Sequence, residues 1–408
     1  MTAPERVTAA VLATFFVVVQ FYTSLAALSP TPPVGVVFAS RGVALALVGV
    51  LAACGVVCAA LLARDRAVPA AASRELLVAW IGAASIATLL GVDPLSGLQV
   101  VGVMLLAAAF HLALVRYYGR RGVAQPVLVA YLCAGTLAAA AALVMLATRV
   151  PAALYADNQG RAAGVFVTAN QFAVFLVLFV FVALGTGLAA RGRLRALAAA
   201  SVVVALVALC ATFSQSGAIG AAAGALFLAF TAGARRLAAA LAFGFVVAGL
   251  AIALRPVAGH DPSTAFDRLR TWRSGVRVAE LFPLTGAGPM AYWRVYPAIR
   301  SPNGDEPGTF GALHPHDAVL SLAGETGAVG LVALCFGWWR VASAVRGSLL
   351  RRAPRERLLA LGVCAGLVGT LVQGIFDTVG IVQMSFVWIP YAALAMAAAD
   401  AGLPAQAP

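Results

Sequence analysis

No lysine occurs in the 408 residues, and carboxylates are few: 28 arginines and 15 acidic residues leave only 11% of the chain charged. Soluble globular proteins carry about 25% charged residues, so an ordinary soluble enzyme is excluded. The hydrophobic content of 62% and mean hydropathy of +0.96 equally exclude a disordered chain, which could not be this apolar. Cysteine is present without pattern. Cys54, Cys58, Cys133, Cys210, Cys335 and Cys364 all sit inside apolar runs, with neither C-x-x-C nor metal-finger spacing. That excludes a zinc finger and a dithiol redox motif and leaves small core side chains. No phosphate-binding glycine loop, no nucleotide-sugar fingerprint, no D-x-D-like metal motif on the outer side and no internal repeat is visible. The apolar run after Arg6, about 22 residues, is too long for the core of a signal peptide and reads as a retained span.

Long apolar runs fill the chain. A membrane-crossing helix needs about 20 of them in succession, and twelve candidates follow: 7–28, 36–63, 76–92, 97–115, 125–148, 163–190, 196–213, 217–233, 237–254, 317–339, 358–377 and 380–399. The expected fold is therefore an all-α polytopic membrane protein. The net charge of +13 would suit nucleic acid or an anionic surface, but its distribution argues otherwise. With the N-terminus inside, eighteen arginines fall in cytoplasmic loops against Glu5, Asp65, Glu75, Glu356 and Asp400, which is the whole +13. Ten arginines and ten acids remain outside and cancel. This is the positive-inside pattern, with both termini cytoplasmic, and no nucleic-acid partner is expected.

The chain divides into spans 1–9 (1–254), a polar outer loop (255–316), and spans 10–12 with the C-terminus (317–408). A loop this long is commonly functional or disordered, and its Trp272, Trp293, Phe266, Phe282, Tyr292 and Tyr296 argue for folding. Leu269, Trp272, Val276 and Ala279 have helical spacing, predicting an amphipathic helix over 267–281 that ends at Pro283, Gly286 and Gly288. Seven arginines lie in the loop against the topological trend: Arg255, Arg268, Arg270, Arg273, Arg277, Arg294 and Arg300. Arginine binds phosphate through a planar, permanently charged fork; the plain alternative is a solvated helix face near lipid headgroups.

Two of the four histidines stand together in His314-Pro315-His316-Asp317, where the chain passes into span 10. A histidine at the membrane surface suits a general base, while this spacing does not suit zinc. Asp317 also has the character of a helix N-cap. Three further polar features stand out: Arg161 before span 6, the Ser214-Gln215-Ser216 patch opening span 8, and the ionisable Glu325 and Asp377 in spans 10 and 11. Ionisable groups in spans are costly and point to function, or to helices tied together.

At these residues the sequence resembles the O-antigen ligase and polymerase superfamily of bacterial membrane glycosyltransferases. Three patches carry the likeness: Arg268-x3-Trp272-x10-Pro283-Leu284-Thr285-Gly286-Ala287-Gly288; His316-Asp317-x7-Glu325-Thr326-Gly327-x2-Gly330-Leu331; and Arg161-x2-Gly164-x-Phe166-x3-Asn170. The family commonly has Asn where Asp317 stands, and Arg where Gln215 stands. The resemblance implies transfer of a glycan from undecaprenyl pyrophosphate to a sugar hydroxyl of lipid A-core, on the periplasmic face of the inner membrane. His316 with Asp317 is then the expected base, and Arg161, Arg268, Arg270 and Arg277 the expected pyrophosphate contacts. His314, Gln215, Glu325, Asp377 and Trp272 support them. No metal or cofactor is expected, and a single displacement would invert the anomeric carbon. A polymerase or a protein-glycosylating relative would use the same donor. A transporter of similar span number is the reading from another class, against which the gathering of charge at the outer interface argues.

Overall fold

The computed structural model describes residues 3–19, 41–65, 70–120, 122–166, 168–233, 263–299, 314–377 and 381–402, with a few positions between 240 and 247. The protein is all-helical over these residues, and eight helices are long and apolar enough to cross a membrane. In chain order they comprise α1 (Ala3–Val19), α2 (Arg41–Asp65), α3 (Ala71–Leu90), α4 (Pro94–Tyr117) and α5 (Ala124–Thr148). The short α6 (Ala152–Asp157), then α7 (Ala169–Ala189), α8 (Gly192–Ala211) and α9 (Gln215–Ala232) follow. The segment between α9 and the next long helix contributes α10 (Ser263–Leu281) and α11 (Tyr292–Ile299). The chain closes with α12 (Ala318–Leu350), α13 (Leu358–Gly374) and α14 (Ile381–Ala401). Helices coincide with the described parts of eleven expected spans, the first (7–28) being described only over 7–19 and the second (36–63) only from 41; of the ninth, 237–254, only a few positions are described.

Lipid offers no hydrophobic drive between helices, so close backbone approach through small residues has to supply it. Helix α13 shows this against α7 and α9. A Cβ placed on Gly185 would lie 2.6 Å from the Leu358 carbonyl oxygen, and one on Gly220 2.5 Å from that of Gly369. On the other side of the molecule aromatic packing takes over. Phe15 stacks on Phe110 with centroids 3.7 Å apart, and the Tyr391 hydroxyl meets that of Tyr131 at 2.9 Å. His111 is fully buried there, bonded to Ser73 Oγ and the Ile389 carbonyl at 2.9 Å each, and serves the core.

Helix α12 is longer than the expected span 317–339 and is broken inside. Gly327 has φ +62°, ψ −165°, and the chain on either side is helical. The freed backbone groups at the break find partners in the segment after α10. Ala287 N donates to Gly324 O (2.8 Å) and Gly288 N to Glu325 O (3.0 Å). In return Ala328 N donates to Pro283 O (2.9 Å) and Val329 N to Leu284 O (3.0 Å). Non-helical backbone at membrane depth survives only where protein satisfies it, and here the two glycine-rich motifs satisfy each other. A Cβ on Gly286 would collide with the backbone at Glu325 and Thr326, and one on Gly327 with the Leu284 carbonyl. Ala287 O also accepts from Val92 N (2.8 Å), pinning the segment to the α3–α4 turn.

Candidate functional site

The N-terminal end of α12 and the C-terminal end of α13 bring His316 to Asp377. His316 Nδ1 lies 3.5 Å from Asp377 Oδ1, with the two side chains 18% and 13% exposed: sheltered, yet reachable. The backbone at His316 is left-handed, φ +53°, which is uncommon outside glycine and marks a position held by its surroundings. Those surroundings are visible. Trp272 on α10 donates its indole N–H to the His316 carbonyl (3.4 Å), and the His316 N–H reaches His314 Nδ1 at 3.3 Å. The two imidazoles meet edge to face, centroids 4.3 Å apart. Burial pushes His314 down to about 3, the neighbouring His316 adds to this, and Asp377 opposes it. His314 is thus a neutral prop. Pro315 and Leu320 close around Gly275 of α10, where an added Cβ would stand 2.8 Å from Pro315 Cβ.

Asp317, expected beside the catalytic histidine, has a different employment. Its Oδ1 accepts from Leu320 N at 2.8 Å and caps α12. Burial raises its pKa, and the Leu320 and Val319 N–H groups partly offset that. The carboxylate against the imidazole is that of Asp377.

The patch around Arg161 is a brace. Its Nε donates to Thr212 O and its Nη2 to Asn170 Oδ1, both at 2.7 Å, joining the end of α8 to the start of α7. Asn158 Oδ1 accepts from Ala169 N (2.8 Å), and Phe166 begins an aromatic ladder through Phe172 and Phe175 to Phe179. Gln373, which had drawn no notice in the sequence, extends this brace to α13. Fully buried one turn below Asp377, it donates from Nε2 to Asn170 O at 3.3 Å. Its spacing of four from Asp377 was the available signal. Glu325 is buried beside the broken turn; its carboxyl accepts from the Met290 backbone, while Oε2 and the nearby Ser321 Oγ find no partner among the described residues. Gln215 opens α9 behind its N-cap, Ser214, whose hydroxyl accepts from Gly217 N at 3.2 Å.

Two concave features lie nearby, one lined by Ala318 and the other by Trp272. An apolar groove of about 780 Å³ runs between α12 and α13 from Ala318, Val319 and Leu371 at one end to Leu349 and Leu361 at the other, with Trp338 and Trp388 on its wall. On the outward side, α10 and α11 form a cleft of about 610 Å³ that includes Arg270, Trp272, Arg273 and Arg277. Arg268 lies on α10 as well. Sequence reasoning missed α11, whose Tyr292 hydroxyl meets Ser274 Oγ at 2.6 Å and fastens it to α10.

Fold and site together define a polytopic α-helical membrane protein with a histidine–carboxylate pair close in sequence to one end of an apolar groove. A family model described as O-antigen ligase matches residues 199–335 of this chain, about a third of its length. The matched segment contains Arg268, Trp272, the Pro283–Gly288 motif, His316 and Glu325, while Asp377, Gln373 and Arg161 lie outside it, so the O-antigen ligase superfamily resemblance rests on part of the site. It supports a glycosyltransferase of the ligase or polymerase type. No curated protein matches the chain.

Proposed function

We propose that this protein is an O-antigen ligase, moving a glycan from undecaprenyl pyrophosphate to a sugar hydroxyl of lipid A-core on the periplasmic face of the bacterial inner membrane. The observation that carries the reading is the His316–Asp377 pair, His316 lying two residues before the groove-lining Ala318 and inside the segment that matches the family. The polyprenyl chain lies along the groove, which leaves the pyrophosphate at its mouth. The arginines of α10 are the proposed source of positive charge for it. Arg161 acts by holding the start of α7.

In the transfer, the acceptor hydroxyl oxygen attacks the anomeric carbon while the bond from that carbon to the phosphate oxygen breaks. The electron pair leaves with the pyrophosphate, and the hydroxyl proton passes to His316. Asp377 faces Nδ1, so Nε2 is the nitrogen that accepts, and the carboxylate stabilises the imidazolium that forms. One displacement inverts the configuration. Arginine meets charge that grows as the leaving group departs, which favours the transition state over the bound donor, and the reaction proposed needs no metal.

Reconstitution in vesicles tests this, with undecaprenyl-pyrophosphate glycan as donor and lipid A-core as sole acceptor. The expected product is glycan joined to lipid A-core, with activity unchanged by chelator. Chain growth on donor alone would instead make the protein a polymerase, and activity lost to chelator and restored by a divalent cation would overturn the metal-free step.

A further inference from the structure

We propose that the end of the apolar groove away from Ala318 is a binding site for an anionic diacyl phospholipid, with Arg346 and Arg357 on its phosphate and its acyl chains along the groove. The inference is independent of the glycan-transfer reading.

The groove wall is almost wholly apolar, and its two charged residues, Arg346 of α12 and Arg357 just before α13, lie at the same end with Leu349, Leu350 and Leu361. Arg346 is exposed, and no hydrogen bond or ion pair engages it among the described residues. Arg357 donates Nε to the Arg352 carbonyl at 2.7 Å, which leaves both its Nη groups without a partner among the described residues. The acids at neighbouring helix ends are taken by others. Glu75 pairs with Arg340, Glu356 with Arg352 at 3.7 Å, and Asp65 with Arg116 and Arg120. Asp400 accepts from the Ser348 hydroxyl. Helix α13 begins directly behind Arg357 with no side-chain cap, so the positive end of its dipole adds to the same field.

Two guanidinium groups with donors to spare, at the rim of a hydrocarbon-lined slot, define the ligand. The charged end calls for phosphate, which matches the planar fork, and the slot calls for chains that leave water. Basic pockets between spanning helices hold anionic headgroups in this way. A zwitterionic lipid is a poorer match, because it brings its own cation to the phosphate. The helices also leave room for such a ligand. Helix α12 packs on α3 and α14, and α13 on α7 and α9, while α12 and α13 meet little across the groove. Its volume of about 780 Å³ is ligand-sized, and Trp338 and Trp388 stand edge to face on its wall, centroids 6.0 Å apart. A lipid seated there supplies packing that the side chains of α12 and α13 do not. The polyprenyl chain of the proposed donor enters beside Ala318, so the two lipids share the groove end to end.

The experiment titrates the full chain in detergent micelles with phosphatidylglycerol and with phosphatidylcholine of identical acyl chains, and counts retained lipid by native mass spectrometry. A single phosphatidylglycerol per chain is expected, bound roughly tenfold more tightly than phosphatidylcholine. Arg346 has no partner to lose, so Arg346→Gln should fold normally, weaken phosphatidylglycerol about fivefold and leave phosphatidylcholine unchanged. Arg346→Lys should keep much of the preference. Arg193→Gln removes the same charge from the exposed start of α8 and should bind like the parent. Ala342→Trp fills the groove without altering charge and should weaken both lipids. Equal affinity for the two lipids overturns the proposal, and so does an equal loss in Arg346→Gln and Arg193→Gln, which would reduce the effect to overall charge. Unchanged binding by Ala342→Trp overturns it as well, by taking the acyl chains out of the groove. Displacement by inorganic phosphate at matching concentration would make this a site for the free anion instead. Undecaprenyl pyrophosphate binding that Arg346→Gln abolishes would hand this end to the donor. No glycan is present in the titration, so none of these outcomes decides the transfer reading.

Discussion

His316 joins three independent constraints: a left-handed backbone, a carbonyl held by Trp272, and an imidazole facing Asp377. Removing a positioned general base costs about 10²–10⁴ in rate, so His316→Ala should lose transfer by that factor while still binding undecaprenyl pyrophosphate. Near-parental turnover in a single-turnover assay would remove His316 as base. Asp377→Asn should retain a fraction of the rate and displace the acidic limb of the pH–rate profile, which a purely structural role would leave in place. His314 offers a stability test. Its folded pKa of about 3 lies below the usual 6.5, so its contribution is present above pH 6.5 and lost as pH falls from there toward 3. At pH 5.5 the loss is on the order of 1 kcal/mol. Thermal melts in detergent at pH 7.5 and 5.5 should show it in the parent and not in His314→Asn. Rarity made the histidines legible in the sequence. Their partner was not: Asp317 and Asp377 are the same residue type, and only the turn capped by Asp317 at Leu320 shows which one is free to face the ring.

Among the elements, α10 was readable because its apolar spacing and its stop signals agree, and its observed end at Leu281 is the expected one. Helix α11 was not, being short and carrying Pro297 inside it. The break in α12 escaped notice too, since Gly327 in an apolar run reads as ordinary helix. It becomes intelligible once the Pro283–Gly288 segment is seen filling the broken turn with four backbone hydrogen bonds. The two family motifs thus act as halves of one joint, which positions α10, and with it Trp272, over His316. Gly286→Ala should break it: φ +71° disfavours any side chain and the Cβ meets α12 backbone. A destabilisation of about 1–3 kcal/mol is expected, with transfer reduced more than the melting temperature alone explains. A Gly286→Ala protein with parental melting and activity would show that the joint tolerates slack.

For the whole molecule, the net charge of +13 becomes a statement about insertion. Arg116 and Arg120 flank Asp65 at 2.7 and 2.8 Å, and Arg340 pairs with Glu75, so the basic islands and their few acids gather at the same ends of the helices. In a cysteine-free background, Arg193→Cys should resist a membrane-impermeant thiol reagent in intact spheroplasts, and Leu284→Cys should react. The reverse labelling would invert the topology and place the His316 site on the cytoplasmic side.

Composition and periodicity alone determined the membrane class and most of the run of spans, and set the sidedness to expect, because bilayer thickness and the cost of moving charge act on local stretches of chain. The outer helix and the motif residues were local signals of the same kind. Pairing was decided only by tertiary structure: Asp377 with His316, and the glycine motif with the broken helix. Those contacts join residues tens to hundreds of positions apart, and no local energy term records which of several similar side chains will meet.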